Sequence, residues 1–137
     1  MDDKFIDLEI LTPFEIICQH KITYLRAPGI DGYFGVMAGH APFITSLAIG
    51  EIKLELENGT KYFATSGGTI EVLPHKVTIL AETAEDAHVI DVERAIYAKE
   101  RAQRRLSEKL EDSDLQRARI ALLKSINRLK ISQKAKR

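Results

Sequence analysis

The chain has 137 residues, 45% of them hydrophobic and 29% charged, which suits one or two globular domains and argues against disorder. No apolar run approaches the roughly 18 residues of a membrane helix, and Met1-Asp2-Asp3-Lys4 lacks the basic-then-apolar order of a signal peptide. The net charge is zero, yet residues 1–87 carry 6 Lys and Arg against 13 Asp and Glu, while residues 88–137 carry 14 against 7, so two modules of opposite sign are expected.

Phe5–Leu11 alternates, with Ile6, Leu8 and Ile10 on one face and Asp7 and Glu9 on the other, the pattern of a half-buried strand. Thr12-Pro13 ends it, and Phe14–Arg26, rich in Ile, Thr and Tyr, predicts a second strand. Cys18 lies in that strand with no adjacent base and no second cysteine, so it reads as a structural thiol in a reducing, cytoplasmic setting. Residues 28–42 are punctuated by Gly29, Gly32, Gly35, Gly39 and Pro42 and predict a long loop. It holds Tyr33, Phe34, Val36 and Met37, which suits either a partner contact or a plug under the sheet.

Ile52–Glu57 alternates cleanly, Asn58-Gly59 predicts a tight hairpin turn with positive φ values, and Thr60–Ser66 returns. Gly67-Gly68 marks a bend or a close backbone approach. Ile70–Leu73 and Val77–Ala81 flank Pro74-His75-Lys76 as another hairpin. Short strands at regular spacing predict an antiparallel sandwich or barrel.

The β pattern stops at Thr83–Ala87. The expected domains are a β unit over 1–84, a hinge over 85–87 and a helical unit over 88–137, whose basic tail 133–137 reads as unstructured. Val92, Ala95, Ile96, Ala102, Leu106 and Leu110 recur at helical spacing, as do Leu115, Ala118, Leu122, Ile126 and Leu129. Asp91 is the expected N-cap of the first helix, Glu111-Asp112-Ser113 the turn, and Ser113 with Gln116 a capping box for the second. About forty residues rarely bury enough apolar surface to stand alone, so the pair must lean on something else and is a candidate switch.

Catalytic signatures are missing from the sequence. It has no phosphate-binding loop, and Ser66 lacks a nucleophile elbow. His20, His40, His75 and His88 have no second ligand at metal spacing. A regulatory or structural role is therefore expected rather than an enzyme. The charged constellation is Arg94, Arg101 and Arg105 on the first helix with Asp91 at its start, and Lys124 and Arg128 on the second. An antiparallel hairpin brings Lys124 and Arg128 towards Asp91 and Arg94. Forked guanidinium donors there suit phosphate oxygens, while Asp91 or Glu85 suits an adenine amino group or a ribose hydroxyl. From spacing alone, local i,i+3 and i,i+4 ion pairs such as Asp91 with Arg94, worth roughly 0.2–0.5 kcal/mol each, are the favoured reading.

Three motifs carry a resemblance: Gly35-Val36-Met37-Ala38-Gly39-His40-Ala41-Pro42, Ser66-Gly67-Gly68 through Val77-Thr78-Ile79-Leu80-Ala81, and Ile90-Asp91-Val92-Glu93-Arg94-Ala95. In this order, followed by a helical pair, they resemble the epsilon subunit of the bacterial F-type ATP synthase along almost the whole chain. The resemblance implies an α+β, two-domain fold: an N-terminal antiparallel β-sandwich and a C-terminal α-helical hairpin. It implies a non-catalytic rotor subunit, peripheral on the cytoplasmic face of the cell membrane. Its sandwich would bind the gamma subunit and touch the c-ring through the loop holding Tyr33 and His40. ATP would be a regulatory ligand held by Glu85, Ile90, Asp91, Arg94, Ala95, Arg101 and Arg128, favouring the closed hairpin. The opened hairpin would reach the alpha/beta catalytic head and block ATP hydrolysis. Ala38 stands where the family usually has Pro. Lys124 stands where nucleotide-binding relatives carry Arg, and keeps the charge without the fork. The alternative is a β-domain adaptor whose basic hairpin binds nucleic acid or an anionic membrane surface; the lack of an aromatic ladder in 98–137 counts against single strands.

Overall fold

Alternating apolar and polar residues become ten strands in the computed structural model, which describes residues 4–136. The readings made at Met1–Asp3 and at Arg137 lie outside the described residues. The strands are β1 (Ile6–Leu11), β2 (Ile16–Ile22), β3 (Tyr24–Gly29), β4 (Gly32–Val36), β5 (Phe43–Leu47), β6 (Gly50–Leu56), β7 (Gly59–Thr65), β8 (Gly68–Val72), β9 (Lys76–Ala81) and β10 (Ala84–Asp86). They run in the order β10-β7-β6-β3-β5-β8-β9-β1-β2, with β4 added on β3. All pairings are antiparallel except β1 on β9, which is parallel, so the expected purely antiparallel sandwich is modified at one seam.

The inward-facing set predicted for β1 is the buried one: Ile6 and Ile10 are at 0% exposure and Leu8 at 2%. They join Leu25, Ile52, Leu54, Phe63, Ile70, Val72, Val77 and Ile79 in one apolar cluster. Burying alternate residues from many strands is what lets short strands hold together.

Several boundaries differ from expectation for identifiable reasons. The segment 28–42 is not one long loop. Its first half is the hairpin β3–β4, with Leu25 opposite Val36, Gly29 opposite Gly32 and only Ile30-Asp31 between. Glycine spacing hid the strand pattern there. The single strand expected over Phe14–Arg26 breaks at Thr23, whose N–H and hydroxyl both donate to the Glu55 carbonyl, at 2.8 and 3.2 Å. Strand β5 went unread because Ile44 faces outward at 66% exposure. The β6–β7 hairpin is where it was expected, but its two turn residues are Glu57-Asn58. Only Gly59 has a positive φ, at 151°, and Asn58 does not. Gly68 is the close approach: at φ 143°, an added Cβ would run into the Leu80 carbonyl oxygen.

The chain divides into two compact units, Met1–Asp86 and Ala87–Arg137. Of the segment read as a hinge, Glu85 and Asp86 are instead paired in β10 with Ala64 and Phe63, and Ala87 opens a 3-10 turn, Ala87–Val89. The second unit holds α1 (Val92–Leu106), α2 (Asp112–Ser132) and a terminal 3-10 turn, Gln133–Lys136. That last turn replaces the unstructured tail expected over 133–136. Among the described residues, no helix is long and apolar enough to cross a membrane.

Asp91 caps α1 as expected: its Oδ1 accepts from the Arg94 N–H at 3.1 Å. The expected turn at 111–113 is displaced. Helix α1 ends at Leu106, where the Ser107 hydroxyl donates to the Arg104 carbonyl at 2.6 Å, and the link is 107–111. Consequently Ser113 sits inside the first turn of α2 and forms no capping box; the cap position is Glu111, without a side-chain bond. Leu110 falls in the link. The buried positions of the two helices are small: Ala95 and Ala102 on α1, and Ala118, Ser125 and Ser132 with Ile131 on α2. Ile96 and Ile126, expected in the stripes, are each 42% exposed.

Candidate functional site

The packing of α1 on α2 leaves a groove of about 600 Å³. Its floor is alanine, Ala98 and Ala102 from α1 and Ala118 and Ala121 from α2; its walls include Arg94, Tyr97, Arg101, Arg105 and Arg117. The spacing explains the wall, because residues seven and eleven positions beyond Arg94 return to one side of a 3.6-residue helix. Alanine at the floor lets the arginine stems stand apart instead of meeting across the seam.

Electrostatically the groove is short of acid. Asp114 is the carboxylate in its lining, and its Oδ1 lies 3.8 Å from an Arg117 nitrogen. Among the described residues, Arg94, Arg101 and Arg105 make no side-chain ion pair. The expectation that local pairs would absorb these arginines is therefore not met on α1. Forked donors without a carboxylate suit a polyanion such as a chain of phosphates.

Arg94 and Arg101 thus share one surface, joined by Arg105. Tyr97, 61% exposed, and Arg117 belong to the same groove but were not singled out by sequence. The signal for Arg117 was available, since it comes one turn after the start of α2 and faces Arg105's end of α1. Asp91 is exposed at the N-terminus of α1. Ile90 and Ala95 are buried, at 7% and 0% exposure. Lys124 and Arg128 are half-buried on α2, past the groove's lining, with the Arg128 Nε buried. Glu85 is half-buried in β10, in the first unit.

The residues expected to meet partners sit on the β unit. The Tyr33 ring on β4 is 47% exposed and lies under the Arg26 guanidinium, 4.0 Å from it. Its hydroxyl accepts from the Glu51 N–H at 2.9 Å, so the ring is presented in one fixed pose. His40 lies in the loop after β4, where its Nδ1 donates to the Ala41 carbonyl at 2.8 Å and its ring is 5.1 Å from that of Phe43. The loop is tied down by the Gly39 N–H donating to the Pro74 carbonyl at 2.7 Å. Beside it, Pro42, Ile44 and Leu73 line a shallow apolar groove of about 340 Å³, an exposed patch of the kind that marks contact surfaces.

Cys18 is inert by environment. Burial raises its pKa to about 11, a rise that the positive charge of Lys61 only partly opposes, so the thiolate is scarce at neutral pH.

Comparison with known proteins gives a consistent result over both units. Residues 5–87 match the family model of the ATP synthase delta/epsilon chain β-sandwich domain, and residues 89–133 match that of its long α-helix domain. The chain is 44% identical over 128 residues to the ATP synthase epsilon chain of Desulforamulus reducens, covering 92% of this chain and 96% of that one. It is 39% identical over 129 residues to the epsilon chain of Bacillus velezensis, covering 94% and 98%. A chain in the cryo-EM structure of the Euglena gracilis mitochondrial ATP synthase, OSCP/F1/c-ring, superposes with a TM-score of 0.80 at 25% identity, over 97% of this chain and 81% of that one. A chain of the Tetrahymena thermophila mitochondrial central stalk and c-ring shares the fold, with a TM-score of 0.55 at 12% identity, over 96% of each.

Proposed function

Because the chain belongs to the ATP synthase delta/epsilon chain family, we propose that it works as the non-catalytic epsilon subunit in the central stalk of an F-type ATP synthase. It sits peripherally on the cytoplasmic face of the cell membrane. Its β unit binds gamma and rests on the c-ring, with Tyr33 and His40 as contact points. Its helical unit is a regulatory arm. Closed, the arm holds ATP; opened, its basic α2 reaches the alpha/beta head and obstructs hydrolysis. The chain senses ATP and does not consume it.

The observation that carries this reading is the arginine groove over a seam of small residues. Each buried methyl-sized group contributes about 0.8 kcal/mol, so a seam of Ala95, Ala102 and Ala118 holds the helices weakly. A ligand that bridges the helices then adds to closure, shifting the populations by its preference for the closed form. Arg94 and Arg101 take phosphate oxygens, and Arg128 and Lys124 extend the cationic surface. Asp91 accepts from the base or ribose and Ile90 lies next to it in the chain, while Ala95, at 0% exposure, serves the seam and not the ligand. The lysine at 124 lowers affinity relative to an arginine there, since it offers no fork.

Titration of the full chain with ATP, followed by the amide signals of residues 88–131, tests the site. The expected result is one saturable transition that prefers adenine and weakens at least about tenfold in Arg94→Ala, the loss of one charge-assisted contact. Binding that never saturates, ignores the base and falls steeply with salt would favour the adaptor reading instead. Unchanged affinity in Arg94→Ala would remove the site assignment.

A further inference from the structure

The helical unit has a hinge end and a mouth. The hinge end is the link 107–111; at the mouth, α2 and the terminal 3-10 turn pack back against the 3-10 turn Ala87–Val89. From Asp112 to Ile131 along α2 is roughly 29 Å at 1.5 Å per residue, so the mouth has the longest lever.

Burial is concentrated there. Ile131 is at 0% exposure, and among the described residues of this unit it is the one large side chain that is fully buried. Ala87, Ile90 and Ser132, at 4%, 7% and 5%, are buried as well, and the core cluster of the β unit is formed without any of them. Nearer the link the fully buried apolar side chains are alanines, Ala102 and Ala118, while Leu106, Leu115 and Leu122 are only half-buried. The buried serines add little cohesion, because the Ser125 and Ser132 hydroxyls turn back to carbonyls of their own helix, Leu122 at 2.9 Å and Leu129 at 2.7 Å. The one large, fully buried side chain among the described residues of the pair is thus placed at the point farthest from the hinge.

We propose that Ile131 is a latch at the mouth of the hairpin, seating α2 against the Ala87–Val89 turn and keeping the arm closed before any nucleotide binds. Opening starts by withdrawing this side chain, and the arginine groove adds to a closure that already exists. That the latch governs inhibition of hydrolysis rests on the function proposed above; the latch itself does not.

Amide hydrogen exchange on the full chain without nucleotide reads the latch directly, since local opening sets the exchange rate. Ile131→Ala removes most of the buried side chain. It is expected to speed exchange of residues 87–90 and 128–134 at least about tenfold, equivalent to 1.4 kcal/mol, while β6 and β9 keep their protection. Ile131→Val should give a smaller rise in the same residues, and Lys130→Ala, at an exposed neighbour, none. Unchanged exchange at the mouth in Ile131→Ala would overturn the latch, as would an equal rise in Lys130→Ala. If Ile131→Ala unfolds the helical unit, Ile131→Val decides: a rise confined to the mouth supports the latch, and a uniform rise along α1 and α2 refutes it. Arg94→Ala separates the two readings. It leaves nucleotide-free exchange at the mouth unaltered, and its effect on ATP binding bears only on the nucleotide site.

Discussion

Asp91 serves two ends, and the two can be taken apart. Its carboxylate accepts the Arg94 N–H at 3.1 Å, which caps α1, and it is also a proposed contact for the nucleotide. The side chain is exposed, so replacing it leaves no cavity and the capping bond is the whole structural loss. An N-cap is worth about 1 kcal/mol, comparable to one buried methyl of the alanine seam, and equals roughly a fivefold change in an equilibrium constant. Asp91→Ala should therefore raise amide exchange in the first turn of α1 roughly fivefold and also weaken ATP. Asp91→Ser retains a capping oxygen and should keep the protection of that turn, yet still bind ATP more weakly because the charged acceptor is gone. Exchange by mass spectrometry or NMR, paired with an ATP titration of each variant, reads both effects. Equal loss of protection in the Ser and Ala variants would refute the capping argument. Full ATP affinity in Asp91→Ser would remove the carboxylate from the site.

Gly68→Ala should destabilise the β unit by about 3 kcal/mol or more, seen as a lower urea midpoint, because φ 143° disfavours a side chain and its Cβ would meet the Leu80 carbonyl; a midpoint within error of the parent would contradict that packing. Alkylation of Cys18 in the folded chain should rise with pH to a midpoint near 11, against 9.0 when unfolded, because burial disfavours the thiolate. The matching stability term is fully present below pH 9 and is lost as pH climbs from 9 towards 11, where the unfolded chain has already released its proton; rapid alkylation at pH 8 would contradict the burial. Tyr33→Phe removes the acceptor of the Glu51 N–H and should cost about 1 kcal/mol in thermal or urea unfolding while leaving the ring; no loss of stability would show the bond to be dispensable.

The parts of the fold that sequence shows clearly are those where one period dominates. The Ile6-Leu8-Ile10 alternation and the β6–β7 and β8–β9 hairpins follow from period-two burial closed by short turns. Segment 28–42 was obscured because glycine serves loops and edge strands alike, and β4, paired only with β3, needs no apolar inner row beyond Phe34 and Val36. The position of the helical turn was misplaced because Leu110 continues the helical spacing, although the Ser107 hydroxyl has already closed α1. Burial on α2 follows small residues, so the stripe read from Leu122 and Ile126 missed Ser125, whose hydroxyl is satisfied locally and which can therefore be buried. At the site, Arg94, Arg101 and Arg105 were visible from spacing. Tyr97 was not, since only the packing of α1 on α2 shows that it shares the groove, whereas Arg117 could have been placed from its position one turn into α2.

The account turns on the helical unit being an arm whose conformation ATP biases. The most direct measurement compares ATP hydrolysis by the assembled synthase carrying either the full chain or a chain ending at Ala87, across a range of ATP concentrations. The shortened chain should hydrolyse faster at low ATP, with the difference closing as ATP rises. Equal rates at every ATP concentration would contradict the account.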